Sequence, residues 1–231
     1  MAKKKVKRKE LLKEPDEFLT FSARAFNWLH ANRNKLLTAG VIIGALIVLY
    51  LAGWGYWRYT NKKAQQAYNQ AYSILLKSLN PEASPEEWKK AEQGFKRVFE
   101  DYGLSKVASL ALPEAAMAVY LQGRYDEAIK LYQEFLQDMV EEYQYQSLTK
   151  LAIATCFEAK GDAASAKAIL QEVLQGPKGP FRAFAHLSLA RVYSSKSERD
   201  KAKESLEKFI EDLPDSPFIP MAKAMLQRLS R

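Results

Sequence analysis

Residues 115–136 read AAMAVYLQGRYDEAIKLYQEFL, and this stretch decides the fold. Two alanines, Ala116 and Ala128, lie twelve residues apart on either side of a polar turn that contains Gly123. Small alanines let two helices cross closely, and the bulky residues of the following YQEF segment would fill the groove toward the next helix pair. The stretch therefore predicts a helical hairpin, which is two antiparallel helices joined by a short turn.

The same pattern recurs in residues 153–174 (IATCFEAKGDAASAKAILQEVL) and 189–210 (LARVYSSKSERDKAKESLEKFI), and a partial copy occupies residues 88–103. The turn residue is Gly161 in the second full copy and Ser197 in the third. The alanines of the second helices are 37, 38 and 36 residues apart: Ala91, Ala128, Ala166 and Ala202. The bulky residues that follow these alanines are Phe95, Val98, Tyr132, Phe135, Leu170, Val173, Leu206 and Phe209.

This spacing resembles the tetratricopeptide repeat, whose period is about 34 residues. Pro214, after the third full copy, matches the terminal proline of that family, and residues 218–229 are expected to form a capping helix. The predicted fold class is all-α, with a tetratricopeptide-like α-solenoid over residues 58–231. From about residue 62 onward we expect helices of roughly 12–18 residues and no strand.

Upstream of the repeats, residues 36–57 (LLTAGVIIGALIVLYLAGWGYW) carry no charge over 22 positions. A helix of this length is about 33 Å long, whereas a bilayer core is about 30 Å thick. Trp54, Tyr56, Trp57 and Tyr59 are typical of an aromatic belt at the membrane interface. We predict one uncleaved transmembrane helix. The alternatives are a buried core helix and a cleaved signal peptide, but the run is long and begins 35 residues into the chain.

Basic residues are distributed unevenly around this segment. Residues 1–35 contain ten Lys or Arg, whereas residues 58–77 contain four, which places the N-terminus in the cytoplasm and residues 58–231 outside it. Of the net charge of +8, residues 1–35 carry +6 and the remainder +2. The basic tail is therefore expected to be attracted to anionic lipid. The nearly neutral repeats do not indicate nucleic-acid binding.

Apolar residues in the basic N-terminal domain (1–35) recur at helical spacing, and they are Phe18, Phe21, Ala25, Trp28 and Leu29. This periodicity predicts an amphipathic helix on the cytoplasmic membrane face, with its start near Pro15 and Asp16. The alternative is an extension of the membrane-spanning helix.

A GxxxG pair lies within the membrane-spanning segment. Gly40 and Gly44 share one helix face, and Val48 and Ala52 continue it. Small residues allow two helix backbones to approach closely in a membrane. The face predicts a helix–helix contact, either with a second copy of this chain or with another membrane protein. The alternative is a chance occurrence, because glycine is frequent in such helices.

Candidate catalytic or metal-binding groups are few. The single cysteine, Cys156, excludes an internal disulfide, and His30 and His186 have no partner at metal-ligand spacing. We expect Cys156 and His186 to be packed in the helical core. The GPKGPF segment at residues 176–181 lacks the ending of a phosphate-binding loop, so it predicts a plain loop. The sequence therefore predicts no enzyme, no metal and no cofactor.

Repeats of this type bind partners on a concave face lined by the first helix of each hairpin. The residues that we assign to this predicted concave face are Leu110, Met117, Tyr120, Leu121, Leu148, Leu151, Thr155, Glu158, Phe184, Leu187 and Arg191. The set mixes apolar, aromatic and charged side chains, which suits transient contact with unfolded chain. The alternative is that several of these residues are plain core between hairpins.

The whole architecture resembles the YfgM-like family, which are ancillary subunits of the bacterial Sec translocon. The resemblance is carried by FNWLHANRNKLLTAGVIIGALIVLYLAGWGYWRY (26–59) and YGLSKVASLALPEAAMAVYLQGRYDEAIKLYQ (102–133), and it covers most of the chain. It implies an inner-membrane anchor, periplasmic repeats, and partners that include the translocon and a membrane-anchored periplasmic chaperone. The chain departs from the family in its longer lysine-rich tail and in its EASPEEW loop.

Two functions follow as expectations. The first is a membrane-anchored periplasmic adaptor or chaperone-like subunit at the Sec translocon, which would bind secreted or envelope proteins through its repeats. The second is a scaffold subunit of another envelope complex, such as outer-membrane or cell-wall assembly.

Overall fold

The structure, a computed structural model, describes residues 17–80, 84–138 and 143–230. All regular elements in these ranges are α-helices, which confirms the predicted all-α class. The helices are α1 (Glu17–Ala31), α2 (Arg33–Ser78), α3 (Pro85–Asp101), α4 (Ala108–Leu121), α5 (Tyr125–Asp138), α6 (Tyr143–Lys160), α7 (Ala163–Leu174), α8 (Pro180–Ser195), α9 (Arg199–Asp212) and α10 (Ile219–Leu229).

The chain divides into two compact units, residues 1–56 and residues 57–231. In the first unit, α1 lies where the amphipathic helix is predicted, and only Asn32 separates it from α2. The predicted start at Pro15 and Asp16 lies outside the described residues. Helix α2 covers the whole of the predicted membrane-spanning segment, residues 36–57.

Helix α2 contains an 18-residue window that is long and apolar enough to cross a membrane, and none of that window is buried. Its large side chains are exposed, for example Val41 at 72% and Leu49 at 68%. A core helix of a soluble domain would bury such residues. The alternative of a buried core helix is therefore not supported within the described chain.

The second unit is a linear stack of helical hairpins. The hairpins are α4–α5, α6–α7 and α8–α9, while α3 pairs with the last part of α2. From α3 onward each helix packs on the next one along the chain, and α6 also packs on α8. This succession of neighbour contacts is that of a solenoid.

The repeated alanines mark the sites where the two helices of each hairpin meet. Each of them is at most 1% exposed: Ala91, Ala116, Ala128, Ala154, Ala166, Ala190 and Ala202. The bulky residues after them are also buried, and they contact the next hairpin. The ring of Phe135 in α5 meets Tyr145 in α6 at 6.1 Å between centroids, and Val173 in α7 packs with Leu189 in α8. The predicted packing is confirmed, with alanines where the helices cross and bulky residues toward the next hairpin.

The three hairpin turns share one backbone conformation. Gly123, Gly161 and Ser197 have φ of 75°, 84° and 62°. In each turn the amide of the next residue donates to a carbonyl five residues back, as Asp162 does to Phe157 at 2.9 Å. This is a Schellman ending, in which a left-handed residue satisfies the last carbonyls of a helix. The turns lie where the repeat pattern predicts them.

An ionic cluster around the buried Glu92 joins α3 to the turn between α4 and α5. Glu92 is 5% exposed and accepts hydrogen bonds from Lys96 at 2.8 Å, Gln122 at 2.8 Å and Arg124 at 2.7 Å. Although burial raises the pKa of Glu92, the donors around the carboxylate outweigh it and lower the pKa below its ordinary value. The cluster therefore holds Glu92 ionised.

The last helix, α10, begins at Ile219, and Phe218 is its N-cap residue rather than its first residue. At 11 residues α10 is one residue shorter than the expected range, whereas α3–α9 have 12 to 18 residues. Ala222 of α10 packs on the last hairpin with Leu206 and Phe209, so α10 covers the apolar end of the stack.

Candidate protein-interaction surface

The residues of the predicted concave face lie on the first helix of each hairpin. Helix α4 carries Leu110, Met117, Tyr120 and Leu121, helix α6 carries Leu148, Leu151, Thr155 and Glu158, and helix α8 carries Phe184, Leu187 and Arg191. Their burial differs. Leu148 is 52% exposed and Phe184 40%, whereas Leu187 is only 6% exposed and packs in the core of the last hairpin. Leu187 is thus interior, as the alternative for this set allows.

Two charged members of the set pair with each other. The guanidinium of Arg191 donates to the Glu158 carboxylate at 2.8 Å and 3.0 Å, and this bidentate contact links α6 to α8. A paired, half-exposed charge is a weak site for a partner, because binding would first have to break the existing pair.

A cavity of about 470 Å³ opens among the first helices of three successive repeats. Its lining comes from α2, α4, α5 and α6, and we call it the Glu114 cavity. It is lined by Tyr68, Tyr72, Leu75, Leu76, Leu79, Leu110, Pro113, Glu114, Met117, Tyr132, Phe135, Tyr145, Leu148, Thr149 and Ala152. Of the predicted concave face, the cavity includes Leu110, Met117 and Leu148.

Sequence reasoning missed the contribution of α2 to this surface. Tyr72, Leu76 and Leu79 follow the helical periodicity of α2, but they are 39%, 53% and 49% exposed and line the cavity. The periodicity shows that Tyr72 and Leu76 share a helix with the core positions Ala71 and Leu75, whereas Leu79 follows directly after the end of α2. The periodicity does not show which of these side chains stay exposed because no other helix packs against them.

Glu114 was also missed. It lies four residues after Leu110 and three before Met117, so it shares their helix face. That spacing is the signal that identifies it, although its charge makes it an unexpected residue on an apolar face.

The carboxylate of Glu114 has one hydrogen-bond donor nearby, the Tyr68 hydroxyl at 3.4 Å. It forms no ion pair with any Lys, Arg or His among the described residues. Burial raises the pKa of Glu114 above its ordinary value, and the bond from Tyr68 only partly opposes this. Burial also raises the pKa of Tyr68 and of Tyr132, so both phenols stay neutral.

The residues with reactive potential are packed inside the repeats. Cys156 is 1% exposed, and burial raises the pKa of its thiol to about 11, which makes it unreactive at neutral pH. His186 is 4% exposed and its ring stacks on Phe209 at 6.3 Å. Burial lowers the pKa of His186, although Asp212 partly opposes this. In the described ranges no three His, Cys, Asp or Glu side chains are grouped as metal ligands.

The comparisons with known proteins agree with this architecture. Residues 115–213 match the family described as tetratricopeptide repeat-like domain. A search of curated proteins gives no match.

Solved structures share the fold at low sequence identity. One is a structure of TPR-like repeats from Podosopora anserina that are nearly identical to one another. Its sequence is 16% identical to this chain, with a TM-score of 0.57 over 73% of this chain and 85% of that chain. A tetratricopeptide repeat protein from Parabacteroides merdae is 15% identical, with a TM-score of 0.50 over 71% of this chain and 60% of that chain. Repeats of this fold typically serve as non-catalytic scaffolds for protein–protein interaction. The chain therefore carries a tetratricopeptide-like α-solenoid, an architecture suited to binding other proteins.

Proposed function

We propose that this protein is a membrane-anchored adaptor or chaperone-like subunit at the Sec protein-export translocon of a bacterial inner membrane. Residues 36–57 cross the membrane once, the N-terminus is cytoplasmic, and the repeats lie in the periplasm. There the repeats bind partner proteins or newly exported chains. The resemblance to the YfgM-like family supports the translocon as the location.

One observation supports the binding role most strongly. Large apolar side chains remain exposed on the first-helix face of the repeats, namely Tyr72, Leu76, Leu79 and Leu148 around the Glu114 cavity. Apolar surface of this kind on a soluble domain marks an interaction site. A mixed surface of tyrosine and leucine suits many apolar segments, which is what an export-site adaptor requires.

The anchor is supported by α2. Its apolar window is wholly exposed, and ten Lys or Arg lie in residues 1–35 against four in residues 58–77. A bilayer would cover this surface, and the positive-inside rule would then place the repeats on the far side.

Crosslinking from the interaction face tests the proposal. A photoreactive residue at Leu148, which is exposed at the cavity, should trap translocon subunits or exported chains in intact membranes. The matched control is the same residue at Lys130, an exposed position of α5 that does not line the cavity. Equal crosslinks from both positions would contradict a role for this face.

The same experiment distinguishes the export role from the alternative function. A scaffold of outer-membrane or cell-wall assembly would also use an apolar face of the repeats. Recovery of such assembly proteins from Leu148 without any translocon subunit would replace the export role with that one.

A further inference from the structure

We propose that the Glu114 cavity binds one basic side chain, a lysine or arginine flanked by apolar residues, in a segment of the exported or envelope protein that the repeats hold. This inference rests on the proposed function and adds the chemistry of the bound segment. Its basis is the unpaired carboxylate, the tyrosines around it and the exposed apolar rim.

The carboxylate has no cationic partner within the described protein. Glu114 is half-buried on α4, and its only hydrogen bond to the residues that the structure describes is the long one from Tyr68. Holding a carboxylate away from water without a counter-charge costs stability. A bound ammonium or guanidinium would supply that charge, and the pair would be stronger than one between fully exposed groups because the carboxylate is half-buried.

Tyrosine rings line the same cavity. Tyr68 and Tyr72 of α2 stack with their planes 9° apart and their centroids at 6.1 Å, and Tyr145 of α6 is also part of the lining. The faces of tyrosine rings attract cations, and they attract them more strongly when water is excluded. A carboxylate with tyrosines around it is therefore suited to a basic side chain rather than to an acidic one.

The rim determines what flanks the basic residue. Leu76, Leu79 and Leu148 are 53%, 49% and 52% exposed, so apolar neighbours in the bound segment would cover them. The cavity volume of about 470 Å³ is in the range of sites for small ligands, roughly 300–1,000 Å³. It accommodates one long side chain and its close neighbours, but not a folded domain.

The test uses the full chain in nanodiscs of zwitterionic lipid, so that lipid charge does not attract the probe. The probes are two labelled peptides of alternating alanine and leucine, one with a single central lysine and one with glutamine there. Fluorescence anisotropy should show that the lysine peptide binds about tenfold more tightly, because its charge-assisted contacts are lost in the glutamine peptide.

Two variants test whether Glu114 is the residue that causes the preference for the lysine peptide. Glu114→Gln keeps the shape of the side chain and an acceptor for Tyr68, and it should bind both peptides equally. Glu134→Gln removes an exposed carboxylate of α5 outside the cavity, and it should keep the tenfold preference. Melting curves of both variants establish that they are folded.

Equal binding of the two peptides by the unchanged chain would overturn the inference, as would a lysine preference that survives Glu114→Gln. The proposed function is judged separately. It stands if Leu148 still crosslinks to translocon subunits when the peptides are not distinguished, and it fails if those crosslinks are absent while the preference is present.

Discussion

Two glutamates of neighbouring helices, Glu92 in α3 and Glu114 in α4, show how surroundings determine the role of a residue. Glu92 is buried among Lys96, Gln122 and Arg124, and its pKa lies below its ordinary value. Among the described residues Glu114 accepts a hydrogen bond only from the Tyr68 hydroxyl, and its pKa lies above its ordinary value. The first carboxylate stabilises the fold and the second one weakens it. We therefore expect opposite results from the same substitution at the two positions.

Replacing Glu114 by glutamine should raise the melting temperature at pH 7. The folded-state pKa is raised above the ordinary value of about 4.5, so the folded chain binds more protons than the unfolded one between those two values. Stability is thus lost as pH rises through that window, and the glutamine variant avoids the loss. The gain should shrink as pH falls toward 4.5. The titratable groups that line the cavity beside Glu114 are Tyr68, Tyr72, Tyr132 and Tyr145, and burial raises the pKa of Tyr68 and of Tyr132.

Thermal melts of both chains between pH 4 and pH 8, roughly the span over which carboxylates and histidines titrate, measure this effect. A lower melting temperature for Glu114→Gln at pH 7 would show that the carboxylate is satisfied within the fold, and it would remove the reason to expect a cationic ligand.

Replacing Glu92 by glutamine should destabilise the repeats by about 2 kcal/mol at pH 7, since hydrogen bonds to a charged group contribute about 1.5–3 kcal/mol. The folded-state pKa of Glu92 is lowered, so its contribution is present above the ordinary value of about 4.5 and is lost as pH falls through the folded pKa. Urea unfolding at pH 7 and in acid checks both parts. A loss of the same size at both pH values would show that packing, rather than charge, is what the substitution removes.

At the scale of elements, the hairpin turns decide how each helix ends. Gly123 and Gly161 adopt positive φ without a steric cost, whereas Ser197 adopts φ of 62° and bears a side chain there. A non-glycine residue in the left-handed region costs about 1–2 kcal/mol. The third hairpin therefore ends its first helix less favourably than the other two.

The substitution Ser197→Gly should stabilise the chain by about 0.5–1 kcal/mol, because the relief of the left-handed strain exceeds the added freedom of the unfolded chain. The control is Ser195→Gly in the last turn of α8, which should destabilise by about 0.5–1 kcal/mol. Chemical denaturation of the three chains compares them. Destabilisation by Ser197→Gly would mean that the serine side chain contributes more at this turn than its backbone costs.

The sequence was sufficient to predict the helices and hairpins, because the alanine spacing repeats and each alanine marks a helix crossing. Gly123 and Gly161 identify two turns directly, whereas Ser197 is recognised as the third only by its place in the repeat. The Glu114 cavity could not be predicted as a whole. Its lining joins α2 to α6, and residues as distant in sequence as Tyr68 and Thr149 line one cavity without leaving a local pattern. The burial of Leu187 could not be predicted either, because its position in the repeat did not reveal that it is interior.

At the scale of the whole molecule, the segment that we propose to span the membrane carries the face for which we predict a helix–helix contact. A Cβ added at Gly40 or Gly44 would meet no atom within 4 Å, so nothing in the described chain covers this face. The contact with a second copy or another membrane protein remains a prediction. If the contact is with a second copy, Gly40→Ile and Gly44→Ile together should weaken self-association in bilayers about tenfold, because bulky side chains separate the backbones.

Energy transfer between labelled chains in liposomes measures this association. Gly53→Ile is the matched control, since residue 53 lies nine positions from Gly44 and about 180° around the helix. An equal loss in the control would show that bulk anywhere on the helix disturbs association. No energy transfer in the unchanged chain would contradict a homo-oligomer.

The central claim is that the repeats are held at the outer face of the inner membrane by residues 36–57. The most direct measurement is protease digestion of spheroplasts that contain the full chain, with a cytoplasmic protein as the control for intact membranes. The account predicts that residues 58–231 are degraded while the cytoplasmic control survives, and that the chain sediments with membranes when cells are broken without detergent. Survival of the repeats in spheroplasts, or a full-length chain that stays in solution after breakage, would contradict it.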